Sequence, residues 1–143
     1  MKNLRTSFLV LLATIISISV WSCSDDDEPQ PVPEPTYEEL IIGTWKSVEE
    51  GLDYYFYFDK YDKISSFFVA GGKVVDELHA EYEIDDDLLL IWTGDSVPEA
   101  ATIKTLTQDE LIILPVGFDL SEQLEFNRVP DKELEDILNY AKH

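Results

Sequence analysis

"ELHAEYEI", residues 77–84, decides the fold. Leu78, Ala80, Tyr82 and Ile84 fall on one side of an extended chain, and Glu77, His79, Glu81 and Glu83 on the other. Alternation with a period of two marks a half-buried strand, because successive side chains leave opposite faces. The same period recurs outward in both directions. Upstream, "GTWKSVE", "DYYFYFD" and "KISSFFVA" read as strands. In the second of these, Tyr54, Phe56 and Phe58 share one face and Tyr55 and Tyr57 the other. Downstream come "LLLIW", "ATIKTLT", "ELIILPV" and "EQLEFNRV". Turn residues separate them: Gly71-Gly72, Asp85-Asp86-Asp87, Gly94-Asp95, Gln108-Asp109 and Gly117. Counting "GTWKSVE" first, eight strands lie between residues 43 and 129. Short period-2 runs with turns about every 10 residues predict an all-β sandwich or barrel. Eight strands in meander order favour closure, since a closed barrel has no exposed edges.

The last segment changes period. In "PDKELEDILNYAKH" Leu134, Ile137, Leu138 and Ala141 form one helical stripe. Pro130 suits a helix start, and the acids near it complement the helix dipole. The stripe is expected to lie outside the sheet, with the outward Tyr55 and Tyr57 as candidates for what it covers.

Two motifs at opposite ends of the sheet meet if the barrel closes. "IIGTWK" places Gly43 and Trp45 on the first strand, and "LEFNRV" places Arg128 on the last, on the same face as Leu124 and Phe126. This combination resembles the lipocalin-like branch of the calycins, over residues 38 to 129. There a G-x-W tryptophan sits at the barrel's closed end and a basic residue of the last strand stacks across it. The resemblance implies a small eight-stranded antiparallel barrel with Gly43, Trp45 and Arg128 as its closure. The domain is shorter than a full lipocalin, and one cysteine leaves no disulfide to make. If the interior is open, its lining is Tyr54, Phe56, Phe58, Phe68, Tyr82, Trp92 and Phe126, suited to a small apolar ligand. If those rings fill it, the outer surface is the place for a protein or glycan partner, with Tyr55, Tyr57 and Trp92 as stacking platforms. The expected role is non-catalytic binding of a small apolar ligand, with the surface interaction module as the alternative.

The N-terminal region gives an address. After Lys2 and Arg5 comes "FLVLLATIISISVW", residues 8–21. Fourteen residues are fewer than the ~20 that span a bilayer as a helix, but they fit the apolar core of a secretory signal. Val20-Trp21-Ser22-Cys23 resembles the lipobox of bacterial lipoproteins, although Trp21 replaces the usual small residue. The resemblance implies removal of residues 1–22 and lipidation of Cys23, palmitate included. An unpaired exposed thiol would be a liability in an oxidising envelope, whereas a thioether is inert. More than one acyl chain makes a stable membrane anchor. Residues 24–36, "SDDDEPQPVPEPT", cannot bury a core and read as an extended tether. The acids directly after Cys23 resemble a surface-export signal, or simply hold the domain off the membrane. The expected layout is a signal at 1–22, a lipidated tether at 23–36, a barrel at 37–129 and a helix at 130–143. The expected location is the cell envelope, lipid-anchored at the outer membrane and in one reading surface-exposed.

The chain has 10 basic and 30 acidic side chains, and residues 1–22 hold two of the basic ones and no acid. Eight against 30 leaves a net charge of −22, which argues against nucleic acid as a partner. One cysteine excludes dithiol redox chemistry. His79 and His143 make a poor metal or triad set, the Asp85–Asp87 run matches no calcium loop, and Gly71-Gly72 lacks a phosphate-binding context. The expectation is a monomeric binding protein, not an enzyme, with no cofactor.

Overall fold

A computed structural model describes residues 32–49, 51–94 and 97–140. Helix α1 (Tyr37–Ile41) comes first, followed by β1 (Gly43–Glu49), β2 (Leu52–Phe58), β3 (Lys63–Ala70) and β4 (Lys73–Asp85). Then come β5 (Leu88–Trp92), β6 (Glu99–Leu106), β7 (Glu110–Pro115), a 3-10 turn (Leu120–Glu122), β8 (Leu124–Val129) and helix α2 (Asp131–Tyr140). Each strand pairs antiparallel with the next, and β8 pairs back onto β1 through Trp45 and Arg128, closing an eight-stranded meander barrel. The whole barrel and both helices lie in one compact unit, Pro35–His143. The signal, Cys23 and residues 24–31 of the tether lie outside the described residues. Among the described residues no helix is long and apolar enough to cross a membrane.

Local chemistry sets the turns. β3 and β4 are joined by Gly71 and Gly72 alone, with Ala70 opposite Lys73. Both glycines have positive φ, +58° and +76°, the backbone that a two-residue hairpin turn matched to strand twist requires. α1 opens with a capping box: the Glu39 amide donates to the Thr36 hydroxyl and the Thr36 amide to the Glu39 carboxylate.

The inward face holds one continuous core. Trp45, Phe56, Phe58, Tyr82, Leu89, Leu111 and Phe126 are buried in it, with Ile41 of α1 plugging one end. Some inward positions are small, notably Ser47, Ser66, Ala80 and Ala101, while Ile64, Ile103 and Ile113 add aliphatic bulk. Large rings from β2 and β8 reach toward these small residues, the size alternation by which small barrels fill their taper.

The outer face of β1–β4 carries a second core. α2 lays Leu134, Ile137 and Leu138 over Tyr55, Tyr57, Phe67 and Val69, and Tyr55 is left only 1% exposed. The helical stripe thus covers the outward tyrosines, as its spacing predicts. Polar contacts fix the helix in place. The Thr44 hydroxyl donates to Asp131 (2.7 Å), and Lys46 and the Tyr55 hydroxyl both donate to Glu133 (3.0 and 2.8 Å). Burial pushes the Glu133 carboxyl up, but hydrogen bonds from Lys46 and Tyr55 and the lysine's charge outweigh it and hold the group below its ordinary value. Lys46 is raised, chiefly through Tyr55 against the cost of burial, and also through Glu133 and Asp53.

Candidate functional site

Three places could carry function: the closed end, the interior and the outer surface. At the closed end the guanidinium carbon of Arg128 lies 4.2 Å from the centre of the Trp45 ring. Trp45 is fully buried and donates its indole N–H to the Ile41 carbonyl (2.7 Å). Arg128 donates to the carbonyls of Ile42 (2.6 Å), Gln108 (2.5 Å) and Leu40. The Leu40 and Ile42 carbonyls end α1, which has no basic residue in its own last turn. Arg128 therefore caps that helix from across the sequence, offsetting its terminal dipole. Burial lowers the Arg128 pKa while Asp131 and Asp109 oppose the shift. Gly43 has φ +122°, and a Cβ there would stand 2.5 Å from the Arg128 Nη1. The glycine is required because the guanidinium occupies the space a side chain would take. The three residues expected to close the barrel meet at one place.

Inside, the aromatic side chains form a chain of contacts. Phe58 meets Tyr82 edge-on at 5.0 Å between ring centres, and Phe56 stacks on Phe126 at 4.8 Å. Phe56 also approaches Phe58 at 5.9 Å. Toward the open end Tyr54 tilts onto Phe56 at 4.8 Å and stacks on Phe68 at 4.3 Å. Six of the seven expected lining residues are thus brought together, and they touch one another. Burial raises the Tyr54 pKa, opposed by a hydrogen bond with Ser66. Tyr54 and Phe68 are half-buried at the mouth, and Leu78, on the same face of β4, is 49% exposed beyond them.

Trp92 does not join this group. It pairs with Glu81 on the outer face. The two-residue turn at Asp86-Asp87 sets Asp85 opposite Leu88, so Leu89 and Ile91 face inward and Trp92 outward. "LLLIW" is apolar at every position, so no alternation in it reveals the parity.

Outside, α1, the β2–β3 turn and β4 border a groove of about 870 Å³. Trp92, Tyr61 and Tyr82 line it, together with Ile42 and Ile84. Its charged lining is five carboxylates, Glu38, Glu39, Asp62, Glu81 and Glu83, against Lys60 and Lys63. The turn is held firmly. The Asp59 carboxylate accepts from the amides of Tyr61 (2.7 Å) and Lys63 (3.0 Å), and the Tyr82 hydroxyl donates to the Asp59 carbonyl (3.0 Å). This presents the Tyr61 ring 69% exposed. Tyr82 is pushed up to about 12, by burial first and then by Asp62, Asp59 and Glu38, so it stays neutral. The groove was not legible beforehand: Tyr61 sits between two strands in a turn, and nothing in the sequence joins it to Trp92.

His79 lies on the same outer face, its Nδ1 2.9 Å from the Ser65 hydroxyl. Among the described residues no group of three or more His, Cys, Asp or Glu side chains is placed to hold a metal ion. No protein-family model, curated protein or solved structure matches the chain.

Proposed function

We propose that this chain is an extracytoplasmic lipoprotein, anchored through a lipidated Cys23 at the outer membrane, that displays a small lipocalin-like barrel as a non-catalytic binding module acting through its outer surface. The observation that carries this reading is the run of ring contacts from Phe58 and Tyr82 through Phe56 and Phe126 to Tyr54 and Phe68. Protein interiors are close-packed, and space held by rings in van der Waals contact is not available to a ligand. Gly43, Trp45 and Arg128 support the lipocalin-like assignment, and the charged start, apolar stretch and lone cysteine support the anchor.

A second reading, a carrier for a small apolar ligand, is favoured by one feature. The half-buried Tyr54 and Phe68 lie at the open end, where the exposed Phe118 and Leu120 of the β7–β8 loop also stand. A native mass spectrum of Pro35–His143, purified without detergent, separates the two. That segment contains every strand and both helices. A bare protein mass, unchanged by a panel of fatty acids and small aromatic compounds, is the expected result. Extra mass that leaves on gentle activation would overturn the outer-surface reading in favour of the carrier.

A further inference from the structure

The groove bordered by α1, the β2–β3 turn and β4 has properties that select an occupant. It joins the half-buried Trp92 to an excess of carboxylate, and the exposed Tyr61 also lines it, with the Lys60 ammonium over its ring at 5.1 Å from the centre. Among the described residues Lys63 is paired with Glu81, while Glu38, Asp62 and Glu83 have no ion-pair partner. Resting on the outer-surface reading above, we propose that this groove binds a basic segment of a partner protein, with an arginine side chain laid against Trp92 and facing Asp62 and Glu83.

Arginine is the side chain that meets both demands. Its planar guanidinium stacks on an aromatic face and presents a fork of donors to a carboxylate. An uncharged glycan would use the rings but draw no long-range attraction from the carboxylates. An anionic lipid surface or nucleic acid would be repelled by a chain of formal net charge −20. For a basic segment that same field steers encounter. The turn that carries Tyr61 is already braced through Asp59 and Tyr82, so little ordering is required on binding.

The test uses the full chain in a non-ionic detergent, with triarginine amide as probe and tricitrulline amide as its uncharged counterpart. Binding is read by calorimetry and by tryptophan fluorescence. The chain has three tryptophans, Trp21, Trp45 and Trp92. A fluorescence change on binding that disappears in Trp92→Phe and persists in Trp21→Phe is assigned to Trp92, since Trp45 is fully buried, and that is the expected result. Triarginine is expected to bind and tricitrulline not. The near-isosteric pair Asp62→Asn and Glu83→Gln is expected to weaken triarginine about tenfold, the effect of losing ~1.4 kcal/mol. Glu110→Gln with Glu125→Gln, two exposed acids on β7 and β8, is expected to leave binding unchanged. Equal losses from both pairs would mean diffuse attraction to an acidic protein and would overturn the proposal. So would binding of chitohexaose in the groove with no response to triarginine. Either result with a bare native mass leaves the outer-surface reading standing, whereas a ligand found inside the barrel removes that reading itself.

Discussion

Replacing Arg128 with alanine should cost the barrel about 3 kcal/mol, and the sum is built from contacts at the closed end. A guanidinium over an aromatic ring contributes ~0.5–2 kcal/mol, and at a half-buried site with 4.2 Å to the ring centre about 1 kcal/mol is reasonable. Three carbonyls also lose a charged donor. Water can replace it at Gln108 and Ile42, which lie at the surface. The Leu40 carbonyl is deeper, and a buried acceptor left without a partner costs roughly 1–3 kcal/mol. Taking about 2 for that group gives the total of about 3, a large share of the ~5–15 kcal/mol that typically holds a domain folded.

For a domain of this size the loss corresponds to a fall in Tm of ~12 °C. Calorimetry on Pro35–His143 measures it directly. Arg128→Lys separates charge from shape. An ammonium keeps the charge but cannot stack as a plane or reach three carbonyls together, so lysine should recover less than half of the loss. A cycle combining Arg128→Ala with Trp45→Phe should show a coupling of at least ~0.5 kcal/mol, as expected of residues in contact. An unchanged Tm in Arg128→Ala, or a lysine variant equal to the parent, would refute the reasoning.

Three further outcomes follow from the same geometry. Gly43→Ala should destabilise by about 2–4 kcal/mol in denaturant titrations, because φ +122° strains any Cβ and the new methyl displaces the guanidinium. In an Arg128→Ala background only the backbone part should remain, so an undiminished cost would point away from the clash. Glu133 has a depressed pKa, so its contribution to stability is present above the ordinary glutamate value of ~4.3 and is lost as pH falls through its folded value. Glu133→Gln should therefore be less stable than the parent at pH 7, with the gap closing toward pH 3; a gap constant with pH would sink this account. Tyr55→Phe keeps the ring under α2 but removes the donor to Glu133, so it should cost roughly 1 kcal/mol by urea titration and leave the barrel mass bare.

Alternation carried most of the architecture. In β2 the aromatic residues sort cleanly by parity, so both the inner core and the outer surface under α2 can be read from the sequence. Alternation failed where both faces are apolar. β5 is the instance: its parity is set by the length of the turn before it, and Trp92 consequently points out. Closure at Gly43, Trp45 and Arg128 was legible through motif resemblance, but the capping of α1 by Arg128 was not. That contact spans 88 positions, and the helix it serves is only five residues long. The groove was hidden for a related reason. Its walls come from α1, a turn, β4 and β5, elements that carry no common pattern in sequence and meet only once register is set.

The distribution of covered surface narrows where a partner can act. α1, Trp45 and Arg128 occupy the closed end, and the chain enters the barrel there through Pro35 and Thr36. α2 covers much of the outer face of β1–β4, using two aromatic residues that a binding protein would otherwise expose, Tyr55 and Tyr57. Beyond that helix, Trp92 is half-buried in a groove with carboxylates that have no ion-pair partner among the described residues, while Tyr61 beside it carries Lys60 over its ring. An aromatic ring half in water forgoes part of its burial energy. Like charges gathered in one concavity raise the free energy of the folded state. A basic partner segment would remove both penalties at once. On the reading proposed above, the outer groove, and not the interior where the rings meet, is therefore the place to test for a partner.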